Sequence, residues 1–499
     1  MSTCLRAILF AALGVLASAR PATAQQCPDG TPPPCARAAA PARPAPRSVA
    51  VLTFENTTRD TAAQYLAEGL ADQITTRLGG VARLTTISRT AVRRLRRPEL
   101  LSVQQLGRTL NAVYLVNGSL RAAGGRVRVN VETLRAATGE LVWSAAFDRA
   151  SDDLIGIEEA IATEVATGVA GRLSPQERRV LETRVTANSR AYEQFVRGNV
   201  LLARRTPASI QGAIAAYRAA TAADSGFADA YARLAYAFAM CRNLRCGDDG
   251  DSLLARSRQQ SARALQLNPR SSDAWMSRGW LLVVGFLNTD DSLLASLAAF
   301  RRAVELNPRN DEAWHQYGNP LMYVSDSASL DAMRHALALD PARGITYFNL
   351  AITYYLMGRN DQALQAVDSA ITLEPDGLFR RDRGLYRLAA GDTAGALADA
   401  RLDSGMGLNP PLLAAFAHDS AAVRAMEARV ARSCDAGVAA YLLWTGRREQ
   451  ALRVLLGCRP SLRTRWWLRF PVFAPLADDP RIQALRAETE RILARARWR

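Results

Sequence analysis

The chain has 499 residues, 49% of them hydrophobic, with 63 basic against 47 acidic side chains, enough apolar material for several packed cores. Apart from three histidines the basic residues are all arginine, which excludes a lysine-bearing phosphate loop and Schiff-base chemistry. The formal charge of +16 reads as compositional bias rather than a phosphate-binding surface, so no nucleic-acid partner is expected.

In chain order, residues 1–24 carry Arg6, an apolar run from Ala7 to Ala19, and Ala22 and Ala24 before Gln25. This pattern predicts a cleaved signal peptide, hence a periplasmic or secreted protein. The run is too short for a membrane span, which needs about 20 residues. Residues 25–47 are rich in Pro and Ala and predict an extended linker.

From Ser48 the stretch SVAVLTFEN predicts a buried strand. Tyr65, Leu66, Leu70, Ile74 and Leu78 follow at helical spacing until Gly79-Gly80. A short strand near 83–88, a helix over 103–111 and three strands over 114–121, 126–134 and 141–147 come next, then a helix from 153 to about 173. The glycine turns at 124–125 and 139 make the last three strands an antiparallel meander, with the first strand in a mixed sheet. SVAVLTFEN, YLAEGLADQITTRL and LGRTLNAVYLVNGSLRAAGGRVRVNVETLRAATGELVWSAAFDR together resemble the TolB amino-terminal-like domain, here spanning 48–175. Thr53 stands where that family usually has Pro. The resemblance implies an α/β fold that is often followed by helical repeats.

From residue 188 to 458 a second pattern takes over. QLNPR, ELNPR, LALDPAR and TLEPDG place Pro269, Pro308, Pro341 and Pro375 at separations of 39, 33 and 34, close to a tetratricopeptide (TPR) unit. Small residues such as Gly279, Gly318 and Ala351 fall where paired helices cross, with large ones beside them. The fold class expected is an α+β mixed-sheet domain followed by an all-α TPR-like solenoid. Two units carry apparent insertions at 241–255 and 285–295, and the cluster Asp248, Asp249, Asp251 reads as a capped turn rather than a calcium loop.

In such an array the first helices line an inner groove. Taking Tyr231, Trp275, Trp314 and Tyr347 as equivalent positions, the groove-facing set is Tyr236, Met276, Trp280, His315, Asn319, Met322, Phe348, Ile352 and Tyr355. An apolar, aromatic wall of this kind suits a partner peptide or helix, provided that it stays open; the alternative is that these side chains fill a tightly wound superhelix. Residues 459–499, with Arg-Trp-Trp-Leu-Arg-Phe, predict a segment capping the last repeat, with contact at a membrane interface as the alternative.

Six cysteines remain beyond the signal and form three local pairs, Cys27 with Cys35, Cys241 with Cys246 and Cys434 with Cys458, each expected as a disulfide. No catalytic motif, metal-ligand set or cofactor fingerprint is legible, so the expectation is an exported non-enzymatic scaffold with a protein or peptide partner in the cell envelope. The alternative is a sensor or regulatory input module that reaches the membrane only through a partner.

Overall fold

The computed structural model describes residues 45–58, 62–95, 98–150, 153–246, 249–286, 289–375, 379–402, 409–430 and 434–496. The expected signal peptide, nearly all of the linker, and Cys27 and Cys35 lie outside them.

The first part is a mixed sheet of β1 (Ser48–Val51), β2 (Glu55–Asn56), β3 (Thr85–Thr86), β4 (Tyr114–Ala123), β5 (Arg126–Arg135) and β6 (Leu141–Ala150), ordered β3-β1-β4-β5-β6 with β2 also on β4. β1 is parallel to both of its neighbours and buried throughout, which is why its sequence is an unbroken apolar run. Val49 and Val51 face α1 (Ala62–Gly79) and α4 (Leu154–Ala170), whereas Ala50 faces α2 (Arg89–Arg93) and α3 (Val103–Leu110). β4, β5 and β6 form the antiparallel meander, turning at Gly124 and Gly125 with φ of +57° and +73°. Val127, Val129 and Val131 alternate into the core beneath the helices. α5 (Pro175–Glu182), begun by a Ser174–Glu177 capping box, leads out of this layer.

Eight helical hairpins follow among the described residues: α6 (Ser189–Ala203) with α7 (Pro207–Ala223), α8 (Ala228–Leu244) with α9 (Gly250–Leu267), α10 (Ser272–Phe286) with α11 (Asp290–Leu306), α12 (Asp311–Leu321) with α13 (Asp326–Leu339), α14 (Gly344–Leu356) with α15 (Asn360–Leu373), α16 (Phe379–Ala389) with α17 (Thr393–Leu402), α18 (Asn409–Phe416) with α19 (Ser420–Val430), and α20 (Ala436–Trp444) with α21 (Arg448–Leu456). α22 (Leu462–Leu468) and α23 (Pro480–Arg495) end the fold. The architecture is therefore the expected α+β layer followed by an all-α TPR-like solenoid.

Each crossing has a physical cause in the sequence. A Cβ on Gly198 would lie 2.5 Å from the Tyr217 ring, and one on Gly279 would lie 2.7 Å from Phe300, so only glycine lets the paired helices approach this closely. The prolines act through their carbonyls: Trp275 Nε1 donates to Pro269 O at 2.9 Å and Trp314 Nε1 to Pro308 O at 2.8 Å, fastening each turn to the next helix. The two expected insertions are mostly helix. α8 runs on to Leu244 and α10 to Phe286, while Asp249 and Thr289 cap α9 and α11 with their side chains. Much of each expected long connection is thus a continuation of helix.

Two further contacts shape the array. The α/β layer packs α1 on α6 and reaches three later turns: Arg309 donates to Gly79 O, Ser88 Oγ donates to Asp340 at 2.6 Å and Arg94 pairs with Glu374 at 2.8 Å. From the other end the chain folds back, so that Leu462 is buried among Leu293, Leu297, Leu321 and Val324. Arg465 donates to Tyr323 O at 3.2 Å and Arg469 pairs with Asp326.

Candidate functional site: a cavity on the inner face of the repeats

The first helices α8, α10, α12 and α14 enclose a cavity of about 430 Å³. Tyr236, Trp280, His315, Asn319, Met322 and Ile352 of the sequence-derived set line it. The other three stand elsewhere: Met276 is fully buried in the core shared by α6 to α11, Phe348 stacks on Phe379 at 4.9 Å, and Tyr355 sits between Tyr386 and Phe470 at 4.9 and 5.9 Å. Helix periodicity assigns a face, but the twist of successive hairpins decides which part of that face is covered.

Two lining residues come from places the repeat pattern does not address, and a third, Gln316, is a neighbour of the expected set. Arg205 reaches in from the α6–α7 turn, where its φ is +53°. Gln316 follows His315 on α12. Trp466 arrives from α22, packed on Tyr323 at 5.1 Å and on Phe470 at 4.8 Å. The inner wall is thus partly occupied by the chain's own terminal segment.

Glu312, beside the cavity, ties together three of its lining residues, Arg205, Tyr236 and Gln316. That carboxylate accepts from Tyr236 Oη at 2.7 Å, Gln316 Nε2 at 2.8 Å, Arg205 Nη2 at 2.8 Å and Arg343 Nη1 at 2.5 Å. Burial alone would raise its pKa, but Arg205 and Arg343 hold the carboxyl well below the usual range. Arg343 also pairs with Asp311, and with Asp340 at 3.3 Å. His315 is the opposite case: burial pushes its pKa down to about 3, and Arg343 adds to the effect, so the ring is neutral. Its Nδ1 shares a hydrogen bond of 2.9 Å with Thr346 Oγ1. The indole Nε1 atoms of Trp280 and Trp466 are buried with no hydrogen-bond partner among the described residues. With Met240, Leu244, Val283 and Pro320 completing the walls, the cavity suits an apolar body.

The cysteine expectations divide. Cys434 and Cys458 are joined in a disulfide. The expected Cys241–Cys246 disulfide is corrected: Cys246 is a free, buried thiol. Cys246 N donates to Cys241 O at 3.0 Å across the left-handed Arg245, and both side chains of this helix-ending turn pack into the hydrophobic core. Of the acidic cluster, Asp248 lies outside the described residues and Asp249 is the α9 cap.

No protein-family profile matches the chain. Among curated proteins it is similar to a putative adenylate cyclase 3 of Rhizobium meliloti, with 27% identity over 205 residues, 41% of this chain and 34% of that protein. The chain thus spans about a third of that relative's length. Among solved structures it is similar to a thermophilic TPR protein of Thermus thermophilus (20% identity, 40% of this chain and 98% of that one, TM-score 0.33). A tetratricopeptide repeat protein of Parabacteroides merdae is similar over 61% of this chain and 100% of that one, at 13% identity and a TM-score of 0.32. The repeat assignment rests on the hairpins described above. The expectation of a non-enzymatic chain is corrected by the curated match, because a relative aligned over 205 residues bears an enzyme's name.

Proposed function

We propose that this chain is an exported interaction module in which a TolB-like α/β domain precedes TPR-like repeats, and that the cavity inside the repeats receives one large side chain or the end of a partner peptide in the cell envelope. The observation that carries this reading is the cavity itself, lined by Trp280, His315, Asn319 and Ile352, and of a size that binding pockets commonly have. A side chain or chain end is favoured over a continuous peptide because Trp466 of the terminal segment, packed on Tyr323, takes up part of the lining. The test uses the full chain as bait on envelope fractions. Trp280→Ala and Ile352→Ala are expected to lower partner capture at least roughly tenfold, as hot-spot truncations do, while the circular dichroism spectrum stays unchanged. Undiminished capture by folded variants rejects the reading.

A second reading, a sensor or regulatory module, is favoured by the match to the protein named a putative adenylate cyclase. On this reading the chain contributes to or modulates nucleotide cyclisation. Cyclic AMP formed from ATP, measured for the chain alone and on adding it to membranes of the source cell, tests it; no change in both assays rejects it.

A further inference from the structure

On the side of the array opposite the first-helix cavity, α7 and α9 flank an open trough of about 940 Å³ whose floor is Tyr231, Leu234 and Phe238 of α8. Three arginines rim it, Arg218 from α7 and Arg256 and Arg263 from α9, together with glutamines and small residues, and no Asp or Glu lines it. Elsewhere arginines are commonly matched by carboxylates, as at Arg233–Asp273, Arg383–Asp399 and Arg343–Glu312. Arg218 and Arg263 have no ion-pair partner among the described residues. Each is instead laid over an aromatic ring, Arg218 on Phe238 at 5.3 Å and Arg263 on Tyr231 at 6.0 Å. Stacking fixes the plane of a guanidinium and leaves edge N–H groups for an acceptor, the arrangement in which arginine binds a carboxylate through two parallel bonds; Arg263 spends part of its edge on a long bond from Nη2 to Ser225 O at 3.4 Å.

We infer that this trough is a docking site for an acidic segment of a partner protein. A segment in polyproline-II form repeats its side chains every three residues, about 9 Å, so carboxylates at positions i and i+3 share one edge while an apolar residue between them, on the adjacent edge, meets the Tyr231–Leu234 floor. The stacked guanidiniums of Arg218 and Arg263 in one short trough match a few carboxylates. A nucleic-acid track, in contrast, depends on a longer run of phosphate contacts.

The probe is a fluorescein-labelled peptide repeating Glu-Leu-Ala, with its Gln-Leu-Ala counterpart and a labelled oligothymidylate of equal charge as comparisons, read by anisotropy on the full chain. The acidic peptide is expected to bind, and to weaken roughly tenfold or more in the Arg218→Gln/Arg263→Gln double variant or when salt rises from about 50 to about 300 mM. The charge-reversed variant Arg218→Glu/Arg263→Glu is expected to take up a Lys-Leu-Ala repeat instead, an outcome that misfolding does not produce. Equal binding of the Gln peptide, wild-type affinity in the double variant, failure of the charge swap, or tighter binding of the oligothymidylate each overturns the inference.

Discussion

Glu158 shows how one side chain couples the two parts of the molecule. It is buried between α4 and α6, where Tyr192 Oη donates to it and Arg77 lies 3.8 Å away. Burial pushes its pKa up to about 8 despite these partners, while Arg77 is satisfied by Leu181 O at 2.5 Å and Thr183 O at 3.2 Å. The folded state therefore holds a proton that the unfolded chain releases above the ordinary value of 4.5. This contribution to stability is present in full below that value and is lost as pH rises toward 8. Glu158→Gln keeps an acceptor for Tyr192 without the ionisation. Its melting temperature is expected to exceed the wild type's at pH 8.5, by about 1–3 kcal/mol of stability, and to converge with it near pH 5. An unchanged difference across that range contradicts the assignment. Side chains of this kind are poorly legible in a sequence, because Glu158 sits on α4 beside the exposable Glu159 and only the arrival of Tyr192 distinguishes them. Six cavity residues are legible because they repeat at fixed offsets on equivalent helices. Arg205 and Trp466 are not, since one depends on a turn conformation and the other on a fold-back from more than a hundred residues away.

At the scale of elements, the hairpins that follow Pro269 and Pro308 are readable because the crossing glycine, its large partner and the turn carbonyl recur together, while after Pro341 the buried Ala351 takes the glycine's place. The α18–α19 hairpin lacks that set and packs instead through Ala414, Met426 and neighbours of α20, so the repeat pattern passes over it. Gly279→Ala tests the crossing rule: the added methyl meets Phe300, which is fully buried and has no room to yield. It is expected to cost about 1–3 kcal/mol in urea denaturation, whereas alanine at a site where the helices are already apart costs nothing. Near the end of the array, the Cys434–Cys458 disulfide closes a loop with a sequence separation of 24 around α20 and α21. Its reduction is expected to lower stability by about 3 kcal/mol, seen as a lower melting temperature in reductant.

At the scale of the whole molecule, the fold-back of α22 onto α11–α13 joins parts of the array that helical stacking alone leaves apart. Leu462 is the centre of that seam, fully buried among side chains of α11 and the α12–α13 turn, with its backbone N–H on Asp290 at 3.0 Å. Leu462→Ala is expected to cost about 2–5 kcal/mol and to speed amide exchange in α11 and α13, far away in sequence. Faster exchange confined to α22 and α23 contradicts the seam. A stack held only by adjacent units melts from its free ends inward, one unit at a time, because each unit depends on nothing beyond its neighbours. Here one terminus is fastened beneath the sheet and the other is stitched to the middle, so fraying has nowhere to begin, and heat is expected to release the middle of the chain in a single concerted step.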